Sequence, residues 1–252
     1  MLGYMYERNN RMNEVNVESE KRVANKIVKY VGNNISIKQL QNLQRLVNLI
    51  VTTEKIPLKG LLSNGNIKLP SSTAIFNLTP AKLCPSLKLG LCKASEQGAK
   101  CYAYKAEYFY PQVLPYRMKQ MKFWKSTSAI EFAKQFMLVS SQKKQPYKLL
   151  RLNESGDFTS QKDVDKTEEI ARILNLQGVK VYCYSSRSDL DFSNCKNLIV
   201  SGSNFTKAGI NNVFKIVKNE KDRPKGYGMC RGNCKICNRC QVRGKLTCVI
   251  KH

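Results

Sequence analysis

The sequence predicts an α/β protein in which parallel strands form an open sheet or a partial (βα) barrel. Strand and helix patterns alternate from residue 147 onward, two amphipathic runs lie in the first 56 residues, and closely spaced cysteines lie near the C-terminus. The predicted domains are an N-terminal helical hairpin at 1–56, an α/β core at 57–227, and a cysteine-rich, metal-binding segment packed on the core at 228–252.

Two apolar runs at helical spacing predict the N-terminal hairpin. Residues 23–31 and residues 40–50 place apolar side chains on one face of a helix. Between them, Gly32 is a stop signal, and Ser36 followed by Gln39 has the pattern of a capping box. We expect this hairpin to cover the core as a lid. A small DNA-binding or partner-binding module is the alternative.

The first part of the core mixes strand and helix patterns. Asn64 and Gly65 lie between apolar runs and predict a tight β-hairpin, and residues 73–78 have a strand pattern. One helix is predicted at residues 102–110, and another begins at Ser128.

Residues 147–217 have the pattern of βαβ units. Strands are predicted at residues 148–152, 179–184 and 198–200, whereas residues 210–217 fit a strand or a short helix. The intervening helix begins at Ser160, is capped with Asp163 and ends at Gly178. This spacing predicts a parallel sheet.

Each predicted strand of that sheet is followed by small polar residues. Because ligands of parallel sheets bind outside the carboxyl ends of the strands, these exits predict a site. Glu154, Asp157 and Arg187 are the candidates for proton transfer or for binding a charged group. The predicted cofactor-binding residues are Asn153, Ser155, Gly156, Ser185, Ser186, Ser201 and Ser203. Ordinary turn chemistry explains the same composition, so the sequence leaves open whether the protein is an enzyme.

The charge of the chain predicts a polyanionic partner. Lysine and arginine number 43 against 18 acidic residues, a formal charge of +25. Such an excess attracts nucleic acid, although a surface that serves only solubility has the same composition. The aromatic and basic residues from 102 to 119, which include Arg117, predict either base stacking or an amphipathic core helix.

The chain has no segment that predicts a membrane or secretory location. No apolar run approaches the roughly 20 residues that a helix needs to span a bilayer, and the first residues lack the apolar core of a signal peptide. We therefore expect a cytoplasmic protein without a membrane partner. In a reducing compartment, ten cysteines predict metal binding rather than disulfides.

The cysteines near the C-terminus are the most specific pattern in the sequence. Cys230, Cys234, Cys237 and Cys240 have the spacing C-x3-C-x2-C-x2-C, and Cys248 is a further candidate ligand. A C-x2-C-x2-C row is typical of ferredoxin-type clusters, whereas zinc sites favour two separated C-x2-C pairs. The predicted cofactor is an iron–sulfur cluster of the 4Fe–4S type, with zinc as the alternative.

Cys84, Cys92 and Cys101 form a second group. Two metal-binding alternatives stay open: these cysteines complete the C-terminal site, or they hold a separate cluster. In the third alternative, one or two of them are buried small residues without a metal.

The first three C-terminal cysteines also resemble the C-x3-C-x2-C motif of radical S-adenosylmethionine enzymes. In those enzymes one iron stays open to bind S-adenosylmethionine. Here the motif follows the sheet, Ile236 replaces an aromatic residue, and Cys240 or Cys248 would fill the open position. Three functions therefore stay open: a cluster-binding protein that binds or acts on nucleic acid, a radical enzyme, and a non-catalytic zinc-stabilised nucleic-acid-binding regulator.

Several segments together resemble the phage gene product 88 family. They are KLP at Lys68, CP at Cys84, CYAYKAE at Cys101, RLNESGDF at Arg151, VYCYSS at Val181, and the C-terminal cysteines with the final Lys-His. The resemblance covers about residues 65–252. It implies a gene of phages, plasmids or integrated elements, and it implies one site that joins both cysteine groups to the Gly156-Asp157 turn. It implies no reaction.

Overall fold

The computed structural model describes residues 57–92 and 101–250. The predicted N-terminal hairpin therefore lies outside the described residues. Eight strands form one sheet in the linear order β1-β2-β3-β4-β5-β6-β8-β7. All neighbours pair in parallel except β1 and β2, which are antiparallel. The predicted α/β class with a mostly parallel sheet is confirmed.

The strands and helices have the following bounds. The strands are β1 Ser63–Asn64, β2 Thr73–Phe76, β3 Leu149–Leu152, β4 Lys180–Ser185, β5 Ile199–Ser203, β6 Asn212–Val217, β7 Gly228–Met229 and β8 Leu246–Ile250. The helices are α1 Pro85–Lys88, α2 Tyr102–Phe109, α3 Val113–Ser126, α4 Ala129–Ser141 and α5 Gln161–Asn175, with short 3-10 turns at Ala81–Leu83, Glu220–Asp222 and Arg239–Gln241.

The two faces of the sheet differ because side chains alternate along each strand. On one face, Phe76, Leu150, Leu152, Val181 and Cys183 join the main apolar core. That core also contains Phe123 and Trp124 of α3, Phe132 and Phe136 of α4, and Ile170 and Leu174 of α5. The intervening residues of β3 and β4, among them Arg151, Tyr182 and Tyr184, point to the other face, where the cysteine-rich segment lies.

Most predicted elements are present. The helices at α2 and α4 are confirmed, and the Ser128 side chain caps α4 by accepting a hydrogen bond from the Glu131 amide. The alternative left open for residues 210–217 resolves to a strand. Only β2–β3 and β3–β4 are joined through helices, whereas residues 186–198 and 204–211 connect their parallel strands by loops.

Two local predictions are wrong, and one helix was not predicted. The Asn64-Gly65 pair is not a two-residue turn, because β1 ends at Asn64 and β2 begins only at Thr73. Helix α3 was not predicted as an element of its own; its Pro115 lies in the first turn, where the missing amide costs little. The Ser160 side chain makes no cap hydrogen bond; instead the Thr159 amide donates to Asp163 at 2.8 Å.

Candidate metal centre and strand-end rim

The four C-terminal cysteines share one cavity on the polar face of the sheet. Cys230, Cys234, Cys237 and Cys240 line it together with Arg151 of β3 and Tyr182 and Tyr184 of β4. The cavity encloses about 30 Å³ of free space. Residues separated by about 80 positions in sequence therefore meet at one site.

Backbone hydrogen bonds hold the cysteine loop in place. The Cys230 amide donates to the Cys248 carbonyl at 2.7 Å, next to the pairing of β7 with β8. The Cys234 amide donates to the Lys68 carbonyl at 2.9 Å. The loop between them turns at Gly232, whose φ of 69° lies in the left-handed region that glycine tolerates.

The thiols of this cavity influence one another. Burial raises the pKa of Cys234, and the neighbouring Cys230 and Cys237 raise it further, whereas Arg151 and Lys68 oppose the shift. Burial likewise raises the pKa of Cys240, while a hydrogen bond with the Tyr184 side chain opposes it. Four neighbouring thiols resist joint ionisation unless a cation lies among them.

Two arginines bring positive charge to the cavity. The Arg151 guanidinium lies 5.5 Å from the centre of the Tyr184 ring and 3.8 Å from a Glu154 carboxylate oxygen. Arg239 donates to the Leu246 carbonyl at 3.0 Å. The Nε atoms of both arginines are buried and lack a hydrogen-bond partner within the described part of the chain. Such donors suit anionic sulfur ligands.

Within residues 57–92 and 101–250, no three histidine, cysteine or acidic side chains converge closely enough to be recognised as the ligands of one metal ion. The four cysteines therefore stay predicted ligands. Cys248 does not line the cavity; it is buried in β8, with Lys215 and Arg223 nearby.

The second cysteine group lies elsewhere. Cys84 precedes α1, Cys101 precedes α2, and the Cys92 amide donates to the Ser86 carbonyl at 3.0 Å. Burial raises the pKa of the Cys84 thiol to about 12, and nearby Asp157 adds to the shift. None of these three described cysteines lines the C-terminal cavity. The single site implied by the family resemblance is thus not one cavity.

Asp157 is the centre of the strand-end rim. Its carboxylate accepts hydrogen bonds from the Ser86 hydroxyl at 2.6 Å, the Ser185 hydroxyl at 2.8 Å, and the amides of Ser186 and Phe158 at 2.8 and 2.9 Å. Burial raises the pKa of Asp157 although these bonds oppose the shift. The carboxylate joins the exits of β3 and β4 to α1.

The other two charged candidates of the rim are engaged by protein groups. The Glu154 carboxylate accepts a hydrogen bond from the side-chain Nδ2 of Asn66 at 2.8 Å. The Arg187 guanidinium donates to both Asp189 carboxylate oxygens at 2.8 Å and also to the Phe158 carbonyl. A ligand of Arg187 would have to replace one of these partners.

Asn153 is unusual among the predicted cofactor-binding residues. It is only 6% exposed, its φ is 57°, and neither polar atom of its side chain has a hydrogen-bond partner among the described residues. Next to it, the Ser155 amide donates to Asn77 at 2.7 Å, and Gly156 packs directly against Thr79. The rim thus contains one strained, unsatisfied amide beside a rigid turn.

The serines of the rim divide between the two faces of the sheet. Ser185 and Ser186 meet Asp157. Ser201 and Ser203 alternate with the core residue Val200 along β5, which places them on the face opposite the core.

Glu107 and Arg117 form a buried ion pair that was not predicted from the sequence. Glu107 accepts from the Arg117 guanidinium at 2.9 Å, from the Ala81 amide at 2.6 Å, and from the Lys82 amide at 2.9 Å. Arg117 is therefore buried and unavailable for the surface contact predicted for it. A lone acidic residue in the aromatic stretch was the signal that could have revealed it.

A cationic strip, defined as residues 215–245, includes the cysteine loop that lines the cavity. It contains ten lysines and arginines and two acidic residues, Glu220 and Asp222. Its exposed basic residues are Lys218, Lys221, Arg223, Lys225, Arg231, Lys235 and Arg243.

Comparison with known proteins gives one family. A family model described as Gene product 88 matches residues 48–203, more than half of the 252 residues. The match includes the second cysteine group and the rim but ends before Cys230, whereas the motif resemblance extended to residue 252. No curated protein and no solved structure matches the chain. Among the described residues, no helix is both long and apolar enough to cross a membrane.

Proposed function

The chain belongs to the gene product 88 family, which is consistent with a phage gene product, and we propose that it holds an iron–sulfur cluster and binds nucleic acid. Cys230, Cys234, Cys237 and Cys240 would be the ligands. The observation that carries the proposal is that four cysteines and two arginines with buried, unpartnered Nε atoms line one cavity, and that most of these residues belong to the cationic strip.

The donor set suits a cluster. Thiolates are the usual ligands of iron–sulfur clusters, and an iron–sulfur cluster supplies electron transfer or a structural cross-link when bound. Arg151, Arg239 and the Tyr184 hydroxyl would donate to the anionic sulfurs, and such hydrogen bonds tune cluster potentials. The buried Nε atoms would thereby gain the partners that they lack in the described chain.

Zinc is the second candidate metal, and one observation favours it. The cysteine side chains would have to converge around either metal, but the cavity of about 30 Å³ is closer in size to a single ion, whereas a four-iron cluster also requires the cysteine loop to widen. The tight cysteine row favours the cluster, because zinc sites usually combine separated pairs. A zinc-bound protein would be a nucleic-acid-binding regulator without redox chemistry.

The radical S-adenosylmethionine alternative is supported by the unsatisfied amide of Asn153 at the rim. It requires three ligands and one open iron. The hydrogen bond between Tyr184 and Cys240 supports a fourth ligand instead. The alternative gains support if Cys240→Ala keeps the cluster and binds S-adenosylmethionine while Cys234→Ala loses both properties. Equal loss of cluster in the two variants contradicts it.

The cationic strip supports the nucleic-acid partner. Exposed lysines and arginines neutralise phosphates and release counterions, so affinity falls with salt. Replacing Lys218, Lys221 and Lys225 by alanine should lower the slope of log K against log salt by about 0.9 per lost phosphate contact on duplex DNA. The matched control replaces Lys144, Lys162 and Lys180, which are exposed and lie outside the strip.

The experiment that tests the whole proposal uses anaerobically prepared full-length protein. Iron, sulfide and zinc contents are measured first, and binding of fluorescent DNA is measured at several salt concentrations. The proposal expects bound iron and sulfide and a salt slope that falls in the strip variant alone. Metal-free wild-type protein, or equal slopes in both triple variants, would contradict the corresponding half of the proposal.

A further inference from the structure

Helix α2 carries an unusual number of exposed aromatic side chains. Tyr104 is 42% exposed and Tyr108 is 77% exposed. The complete set, the α2 aromatic face, is Tyr102, Tyr104, Tyr108, Phe109 and Tyr110. The rings of Tyr108 and Phe109 meet edge to face with centres 5.2 Å apart. Aromatic rings normally contribute to cores or interfaces, so this face indicates a binding surface.

The orientation of α2 is fixed by its inner side. Ala103 is buried, and its carbonyl accepts from Arg117 at 2.9 Å. The Glu107 carboxylate accepts hydrogen bonds from the Arg117 guanidinium and from two backbone amides of the 3-10 turn at Ala81–Leu83. Because these groups anchor the helix, its aromatic residues are displayed on a rigid platform.

The charge of this region suits an anionic partner. Glu107 is the only acidic residue between positions 101 and 130, and its side chain is 4% exposed. The exposed lysines of the same stretch are Lys105, Lys119, Lys122 and Lys125. A phosphate backbone would thus meet exposed lysines along this stretch, whose one carboxylate is held by Arg117.

A chain of contacts connects the face to the cysteine cavity. The Tyr102 hydroxyl donates to the Glu154 carbonyl at 2.5 Å. The Glu154 carboxylate lies 3.8 Å from the Arg151 guanidinium, which lines the cavity. A strand bound along α2 would lead toward the candidate metal centre.

We propose that the α2 aromatic face binds single-stranded nucleic acid by stacking unpaired bases on Tyr104, Tyr108 and Phe109. The proposal rests on the nucleic-acid half of the proposed function and specifies the partner as unpaired rather than duplex. Bases in a duplex hide their faces in the stack, whereas unpaired bases offer them to aromatic side chains. The lysines supply the phosphate contacts.

The test measures fluorescence anisotropy of full-length protein with four probes of equal length: single-stranded DNA, single-stranded RNA, duplex DNA and an abasic single strand. Tyr104→Ala, Tyr108→Ala and Phe109→Ala should each weaken binding to the base-containing single strands by about 5- to 150-fold. Their affinity for the abasic strand and their salt slopes should be unchanged, because phosphate contacts remain.

Two controls separate stacking from other effects. Ile130→Ala removes an apolar side chain on α4 that is 66% exposed and should leave binding unchanged. Lys105→Ala should lower the single-strand salt slope by about 0.7. Melting temperatures should match wild type in every variant, since the replaced side chains are exposed.

Three results would overturn the inference. They are equal wild-type affinity for abasic and base-containing strands, alanine variants that bind single strands like wild type, and alanine variants that lose a protein partner while keeping full nucleic-acid affinity. If the wild-type protein binds nucleic acid and the alanine variants bind it with the same affinity, this inference fails and the proposed function stands. If wild-type protein binds no nucleic acid, the nucleic-acid half of the proposed function fails as well.

Discussion

The two cysteine groups differ in the charged residues that lie near their thiols. Burial raises the pKa of Cys84 and of Cys234 alike. Asp157 raises the pKa of Cys84 further, whereas Arg151 and Lys68 oppose the shift that burial and the neighbouring thiols produce at Cys234. A metal needs thiolates, so the charge around each sulfur, in addition to the cysteine spacing, supports the proposal that the C-terminal group is the one that binds metal.

The largest predicted difference between the two regions appears on metal removal. Metal binding is coupled to local folding, with apparent energies of about 10–16 kcal/mol for structural zinc in small peptides. Chelation should therefore speed hydrogen exchange at the Cys230 and Cys234 amides, whereas the Cys92 amide, bonded to Ser86, should keep its rate. Mass spectrometry of the exchanged protein measures both. Equal acceleration in the two regions would contradict the assignment.

The rim beside Cys84 should behave as a rigid structural turn. A Cβ at Gly156 would lie 2.1 Å from the Thr79 hydroxyl oxygen and 2.2 Å from its carbonyl oxygen, at a φ of 71°. We expect Gly156→Ala to lower the free energy of unfolding by about 3 kcal/mol or more. Denaturant unfolding measures this change.

The matched control is Gly178→Ala. Gly178 has a similar φ of 76°, but no atom lies within 4 Å of the added methyl group. The control should cost about 1–2 kcal/mol, the strain of the left-handed conformation alone. Equal losses at the two positions would show that the approach of Thr79 has no energetic weight.

Asp157→Asn should destabilise the same region by about 2–4 kcal/mol. Each carboxylate oxygen accepts one hydroxyl and one backbone amide hydrogen bond, so an amide nitrogen in either place would face an N–H donor. Glu169→Gln on the exposed face of α5 is the control and should leave thermal unfolding unchanged. An Asp157→Asn protein as stable as the wild type would show that the four hydrogen bonds accepted by the carboxylate do not stabilise the rim.

The smallest of these effects concerns Arg151. Arg151→Met removes a cation that lines the cysteine cavity while retaining an unbranched side chain. Metal affinity should fall by about 10- to 100-fold, the usual cost of losing a residue that supports the ligands. Competition with a chelator measures it, and Arg172→Met, on the exposed surface, is the control. Unchanged affinity would remove Arg151 from the account of the site.

What the sequence could predict was local. Strand and helix patterns identify α2, α4, α5 and the central strands, because each depends on neighbouring residues. Arg151 and Tyr184 could not be assigned to the cysteines, since the face that a buried strand presents to a distant segment depends on tertiary packing. The ion pair of Glu107 with Arg117 differs, because Glu107 is the lone acidic residue of its stretch and could have indicated a buried partner.

The most direct test of the central claim is the iron and sulfide content of anaerobically purified wild-type, Cys237→Ser and Cys101→Ser proteins. The account predicts about four iron and four sulfide per chain in the wild type and in Cys101→Ser, and a severe loss in Cys237→Ser. Wild-type metal content in Cys237→Ser, or loss in Cys101→Ser alone, would contradict the assignment of the metal site to the C-terminal cysteines.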